Sequence, residues 1–175
     1  MTRTVAREIA VQIGYSLADR GKTPEDALSD FFDKEYFSSL KEENALFAEY
    51  PSKKQREYIS AIVTGVAERR NELDDYIEKY SKGWKLARIS RIAQSVLRVA
   101  MFEVLYMDEV PDSVAINEAV ELAKGYEEQE TVAFINGILG SFMRSKRGYE
   151  PSAERETEEA ANDAPSEMPA PAAEE

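Results

Sequence analysis

Two arginines and a tyrosine lie near the N-terminus at spacings that suit RNA binding. At about 100° per residue, Arg3, Arg7, Gln12 and Tyr15 fall outside the apolar arc of a helix over residues 3–20. An arginine can hold phosphates, and a tyrosine ring two turns from Arg7 offers a face on which an unpaired base can stack. The pattern favours single-stranded RNA over duplex DNA, although such residues are also ordinary on an exposed helix face.

A second basic segment follows in the middle of the chain. Between residues 82 and 98 there are five basic side chains and no acidic one: Lys82, Lys85, Arg88, Arg91 and Arg98. Trp84 could stack on a base or fill a gap between helices, and we favour the second interpretation because tryptophan is mostly buried. Arg98 stands in a dense apolar helix, so we expect it to pair with an acid such as Glu103 or Glu118.

The composition argues against an enzyme. The chain contains no histidine and no cysteine, which removes thiolate and imidazole metal ligands, cysteine nucleophiles and the Ser-His-Asp triad. The carboxylate pairs Asp74-Asp75 and Glu127-Glu128 are adjacent in sequence, and adjacent residues do not face each other on a helix. We interpret them as solvated. No glycine-rich phosphate loop is present, so we expect no catalytic residue, no metal and no cofactor.

The net charge of -12 is concentrated at the C-terminus. Residues 148–175 hold nine acidic side chains and one basic one, whereas residues 1–147 hold 25 acidic and 21 basic ones. The C-terminal segment is rich in Glu, Ala and Pro, which predicts a disordered acidic tail after one helical RNA-binding domain over residues 1–147. No signal peptide or membrane span is predicted, and we expect a cytoplasmic protein.

The domain itself shows helical periodicity and no strand alternation. Gly21 is a stop signal for the first helix, Thr23-Pro24 opens the second, and Ser52 with Gln55 has the spacing of a capping box. Asn117 and Asn136 stand within the apolar patterns of the last two helices, where we expect them to bond backbone groups between helices. The predicted segments are 3–20, 24–33, 36–49, 53–77 with an interruption near 69–71, 88–107, 112–124 beginning at an Asp112 or Ser113 cap, and 131–145.

Four segments together resemble the NusB family of bacterial transcription antitermination factors. The order and spacing agree over about residues 3–143, and the acidic tail lies outside. The resemblance implies an all-α fold of about seven helices in two small packed bundles. The matching segments are AREIAVQ at 6–12 followed by Tyr15, VLRVAMFE at 96–103, AINEAVELAK at 115–124 after Val110-Pro111, and FING at 134–137.

The resemblance also implies a function and partners. Family members bind the boxA element of nascent RNA together with NusE, a small-subunit ribosomal protein, and help RNA polymerase transcribe ribosomal RNA operons as part of an antitermination complex. Their RNA-binding stretch lies on the first helix, where Arg3, Arg7, Gln12 and Tyr15 match. The loop around Glu130 also lies near the RNA side in the family.

This chain differs from arginine-rich family members at Thr4 and Val5, where those members carry further arginines. We therefore expect weak RNA binding by the chain alone and tighter binding with NusE. Two alternatives remain. Some RNA cytosine methyltransferases begin with a similar helical domain, but residues 148–175 cannot supply the doubly wound domain that they need. The second alternative is a helical module that binds only protein partners or self-associates.

Overall fold

The computed structural model describes residues 1–146, except for the side chains of residues 19 and 20. Within this part, eight α-helices and two short 3-10 helices account for all regular structure, so the expected all-α fold is confirmed. The expected disordered tail lies outside the described residues. The helices are α1 Arg3–Arg20, α2 Pro24–Phe31, α3 Lys34–Leu40, α4 Lys53–Glu68, α5 Arg70–Tyr80, α6 Arg91–Tyr106, α7 Asp112–Lys124 and α8 Gln129–Lys146, with 3-10 turns at Ala45–Phe47 and Leu86–Arg88.

The chain divides into two compact units, Met1–Leu73 and Asp74–Glu175. This division agrees with the two small bundles expected from the sequence. The interruption predicted near residues 69–71 is present and divides one of the seven expected segments into two helices, because α4 ends where Arg69 leaves the helical conformation, with φ -106° and ψ 18°. The chain resumes a helix at once in α5.

In the first unit, α1 packs against α4. The side chain of Thr2 caps α1 by accepting a hydrogen bond from the Val5 amide at 3.2 Å. Gly21 ends the helix in the left-handed conformation at φ 59°, as its position after the last apolar residue predicts. The capping box of α4 is also present, because Ser52 accepts from the Gln55 amide and the Gln55 side chain accepts from the Ser52 amide.

A cluster of aromatic rings packs together within the first unit. Phe31, Phe37 and Phe47 meet edge to face with centroids 5.5 to 5.9 Å apart, and Tyr50 lies 5.1 Å from Phe37. Such pairs stabilise a core by about 1 kcal/mol each beyond the burial of their area. They connect α2, the short α3 and the 3-10 turn, which are too short to be stable alone.

In the second unit, α6 is the central helix. Ten consecutive residues, Ser95–Val104, are buried, and α7 and α8 both pack against α6. The buried positions of α7 are Ala115, Ala119 and Ala123. Alanines four residues apart form a stripe of small side chains that allows the helices to approach closely.

Three expectations about the second unit are wrong. Residues 86–88 form a separate 3-10 turn, and α6 begins only at Arg91, after a Ser90 cap. Pro111 occupies the N-cap of α7 and no side chain caps it. Asn117 and Asn136 are exposed and do not lie between helices. Asn117 stands 200° around α7 from the buried Ala115, which places it on the opposite face.

Candidate nucleic-acid interface

Arg3 is exposed at the start of α1 and its guanidinium is held in place. The guanidinium carbon lies 4.7 Å from the centroid of the Tyr58 ring, which belongs to α4 and is buried. A cation over an aromatic face is attracted by the ring quadrupole, which restricts the side chain without using its N–H donors. Arg3 can therefore present a planar, permanently charged group to a phosphate.

Arg7 is only 2% exposed, so the expectation that it lies on the outer face of α1 is wrong. It lies between Ala10 and Val11 around the helix, and both of those are buried as well. A buried guanidinium needs polar partners inside the protein, and Arg7 has such an interaction. Its predicted role in binding RNA stays a prediction.

Gln12 and Tyr15 continue along the same helix. Gln12 is half-buried, whereas Tyr15 is 38% exposed. Much of the Tyr15 side chain is thus open to solvent, which base stacking requires. Arg3 and Tyr15 are accordingly the two predicted residues of α1 that are exposed.

Glu130 is exposed in the first turn of α8. A carboxylate there is favoured by the free N–H groups and the dipole of the helix. Glu130 belongs to the second unit, whereas Arg3, Arg7, Gln12 and Tyr15 all belong to the first. The structure therefore brings four of the five predicted residues onto one helix and places the fifth in the other unit.

Trp84 packs against an aromatic residue of another helix, which agrees with the favoured interpretation, but it also has a cation beside it. The half-buried ring packs edge to face on Phe134 of α8, with centroids 6.3 Å apart. The guanidinium carbon of Arg88 lies 5.8 Å from the Trp84 ring centroid.

Arg98 pairs with Asp74 of α5, and not with Glu103 or Glu118 as expected. Its Nε and Nη2 donate to the two carboxylate oxygens at 2.7 and 3.2 Å, and Nη2 also donates to Gln94 Oε1 at 3.0 Å. The Arg98 side chain is 8% exposed and that of Asp74 is 19%. Asp74 is thus structural, which corrects its interpretation as part of a solvated pair.

Within residues 1–146, no three carboxylates lie close enough to hold a metal ion. No helix of this part is long and apolar enough to cross a membrane.

Comparisons with known proteins agree with one another. The NusB family model matches residues 4–144. The chain is 40% identical over 146 residues to the transcription antitermination protein NusB of Acetivibrio thermocellus, covering 83% of this chain and 91% of that protein. It is also 40% identical over 153 residues to NusB of Ruminiclostridium cellulolyticum, covering 87% and 96%. A solved structure of NusB from T. maritima is 27% identical with a TM-score of 0.63, covering 90% of this chain and 98% of that one.

Proposed function

The chain belongs to the NusB family of transcription antitermination proteins, which are not enzymes, and from this premise we propose that it binds boxA-type single-stranded RNA together with the ribosomal protein NusE. In this proposal the complex joins RNA polymerase in the cytoplasm and promotes transcription of ribosomal RNA operons. The observation that carries the proposal is the exposed pair Arg3 and Tyr15 on α1, which combines a fixed cation with an open aromatic ring.

The two side chains have different tasks in this proposal. The Arg3 guanidinium contacts a phosphate, and its stacking over Tyr58 lowers the entropic cost of binding that phosphate. Tyr15 stacks on an unpaired base. Gln12 and Glu130 contribute polar contacts to bases or sugars, and Arg7 supports the helix that carries the others.

NusE is needed for tight binding because α1 alone offers little charge. Thr4 and Val5 add none, and the buried Arg7 adds little to the field at the surface. Each phosphate of a single strand that a protein neutralises steepens the salt dependence of binding by about 0.7. We therefore expect a shallow salt dependence for the chain alone and a steeper one for its complex with NusE.

The direct test titrates a boxA RNA oligonucleotide with the full chain, with and without NusE, at two salt concentrations. Arg3→Ala and Tyr15→Ala should each weaken binding about tenfold, as expected for a loss of 1 to 2 kcal/mol. The control Lys41→Ala removes an exposed cation from the end of α3 and should change little. Equal RNA affinity with and without NusE would remove the role of NusE. If the chain binds NusE but the complex binds no boxA RNA, a module that binds only proteins would be favoured.

The cellular role has its own test. In reconstituted transcription of a ribosomal RNA leader, the chain with NusE should increase read-through of a terminator placed after boxA. A scrambled boxA should abolish the increase. Equal read-through on both templates would contradict the proposal.

A further inference from the structure

Residues 81–91, from the end of α5 to the first residue of α6, carry four exposed cations and are called the basic loop here. No acidic residue occurs between Glu78 and Glu103 in the sequence. Arg98, further along α6, is buried against Asp74 and takes no part in the surface. The four exposed cations are Lys82, Lys85, Arg88 and Arg91.

Hydrogen bonds hold the backbone of the basic loop in one conformation. Lys82 and Gly83 are both left-handed, with φ 51° and 90°, and reverse the chain after α5. The buried Ser81 hydroxyl lies 2.7 Å from the Trp84 carbonyl oxygen. The Gln94 amide nitrogen donates to the carbonyls of Leu86 and Ile89 at 2.9 and 2.8 Å. A loop built in this way presents its side chains with little entropy left to lose.

The 3-10 turn aligns two of the cations. Lys85 is its N-cap and Arg88 its last residue, and residues three apart eclipse one another in a 3-10 helix. At about 2.0 Å of rise per residue their Cα atoms are about 6 Å apart along the axis, which is comparable to the separation of successive phosphates in a single strand. The Trp84 ring lies beside Arg88 and remains partly open to solvent.

Two carboxylates face the basic loop, and each is bound to a neutral group of it. Glu78 Oε1 accepts from the Leu86 amide at 3.2 Å, and Glu127 from the α7–α8 connection accepts from the Ser90 hydroxyl. They reduce the local positive charge without removing it, because each accepts its hydrogen bond from a neutral donor and Lys85 and Arg88 remain exposed.

We propose that the basic loop is a second RNA-binding surface, located in the second unit and directed at the phosphates of single-stranded RNA. Lys85 and Arg88 contact successive phosphates, Lys82 and Arg91 add to the field, and the exposed edge of Trp84 meets a base or sugar. Because its contacts are mainly with phosphates, this surface does not discriminate between RNA sequences. It adds affinity for the nucleotides that adjoin the specific site. This proposal rests on the RNA binding proposed above.

The first experiment measures the salt dependence of RNA binding in the presence of NusE. The oligonucleotide contains boxA and its single-stranded flanks. Lys85→Gln/Arg88→Gln should make the slope of log K against log salt shallower by about 1.4 and weaken binding about tenfold at low salt. The control Lys41→Gln/Lys124→Gln removes two exposed cations elsewhere and should stay within twofold of the unaltered chain. Circular dichroism checks that both variants are folded.

Failure of this inference and failure of the proposed function are distinguishable. If the unaltered chain with NusE binds no boxA RNA, both fall. If it binds and the double variant matches it in affinity and slope, only the basic loop is refuted. A tighter complex after Lys85→Gln/Arg88→Gln would also overturn the inference, because the loop would then hold a competing acidic segment such as residues 148–175.

Trp84 supplies an independent readout because it is the only tryptophan of the chain. RNA that contacts the basic loop should quench or shift its fluorescence when the chain is titrated without NusE at low salt. The Lys85→Gln/Arg88→Gln variant should lose most of this change at matched RNA concentrations, whereas the control Lys41→Gln/Lys124→Gln should retain it. Unchanged emission at saturating RNA would contradict the proposed contact.

Discussion

Arg3 and Arg7 stand one turn apart on α1 and have opposite environments. Both fall outside an apolar arc that is defined by Val5, Ile9, Ile13 and Leu17 and omits Val11. At 100° per residue, Arg7 lies 60° from Ala10 and 40° from Val11, so the buried arc continues through it. Including Val11 in the arc predicts the burial of Arg7 from the sequence. The groups that the buried guanidinium contacts do not follow in the same way, because a tertiary contact has no local signal.

Replacement of Arg7 should destabilise the fold before it affects RNA binding. Arg7→Met keeps the length of the side chain but removes its charge and its polar groups, and the loss of polar interactions at a buried position costs about 1 to 3 kcal/mol. The exposed Arg3→Ala should cost less than about 0.5 kcal/mol. Urea denaturation followed by circular dichroism measures both. An Arg7→Met variant of full stability that no longer binds RNA would instead make Arg7 a direct RNA contact.

The ion pair between Arg98 and Asp74 should stabilise the second unit through charge neutralisation. Arg98→Met removes the cation that pairs with the mostly buried carboxylate of Asp74, and we expect a loss of about 2 to 3 kcal/mol in the free energy of unfolding. The double variant Arg98→Met/Asp74→Leu should recover much of that loss. The exposed pair of Lys124 and Glu121 serves as a control, since Lys124→Met should cost under about 0.5 kcal/mol.

If the double variant is less stable than Arg98→Met alone, packing rather than charge explains the effect. Thermal unfolding at the same pH distinguishes these results. Tm should fall by several degrees in the single variant and rise again in the double one.

Among the elements, those with local signals were predictable. The Gly21 stop, the Thr23-Pro24 start and the Ser52–Gln55 capping box each involve residues within one turn, and all three are present. The apolar pattern predicts the start of α6 too early, at residue 88, because the pattern continues through Ile89 into the preceding 3-10 turn. Apolar spacing alone does not distinguish a 3-10 turn from the first turn of an α-helix.

The capping box of α4 should contribute measurably to the first unit. Ser52→Ala removes the acceptor for the Gln55 amide and should cost about 1 kcal/mol, whereas Ser52→Asp keeps an acceptor and should cost close to nothing. Ser52→Gly should lie between the two. Chemical denaturation of the three variants gives the ranking. Equal stability of the alanine and aspartate variants would mean that the Gln55 half of the box suffices.

At the scale of the whole molecule, the negative charge is concentrated in the C-terminal segment of the sequence. Residues 1–147 carry a net charge of -4 and residues 148–175 carry -8, and the exposed cations of the basic loop belong to the first of these segments. The global charge would argue against RNA binding, but binding responds to the local field within about one Debye length. The basic segment is visible in the sequence, but the exposure of four of its cations and the burial of Arg98 against Asp74 depend on tertiary packing, which composition and periodicity do not report.

The acidic segment should therefore act on RNA binding through long-range repulsion. A chain ending at residue 147 should unfold at the same temperature as the full chain, since the tail sequence has too few large apolar residues to add to a core. Its affinity for boxA RNA in the NusE complex should rise roughly threefold at low salt and match the full chain at high salt, because added ions screen the repulsion. Replacing the nine tail acids by their amides should reproduce the effect of deletion. A change in Tm, or a gain in affinity that persists at high salt, would instead show that the tail binds the helical domain directly.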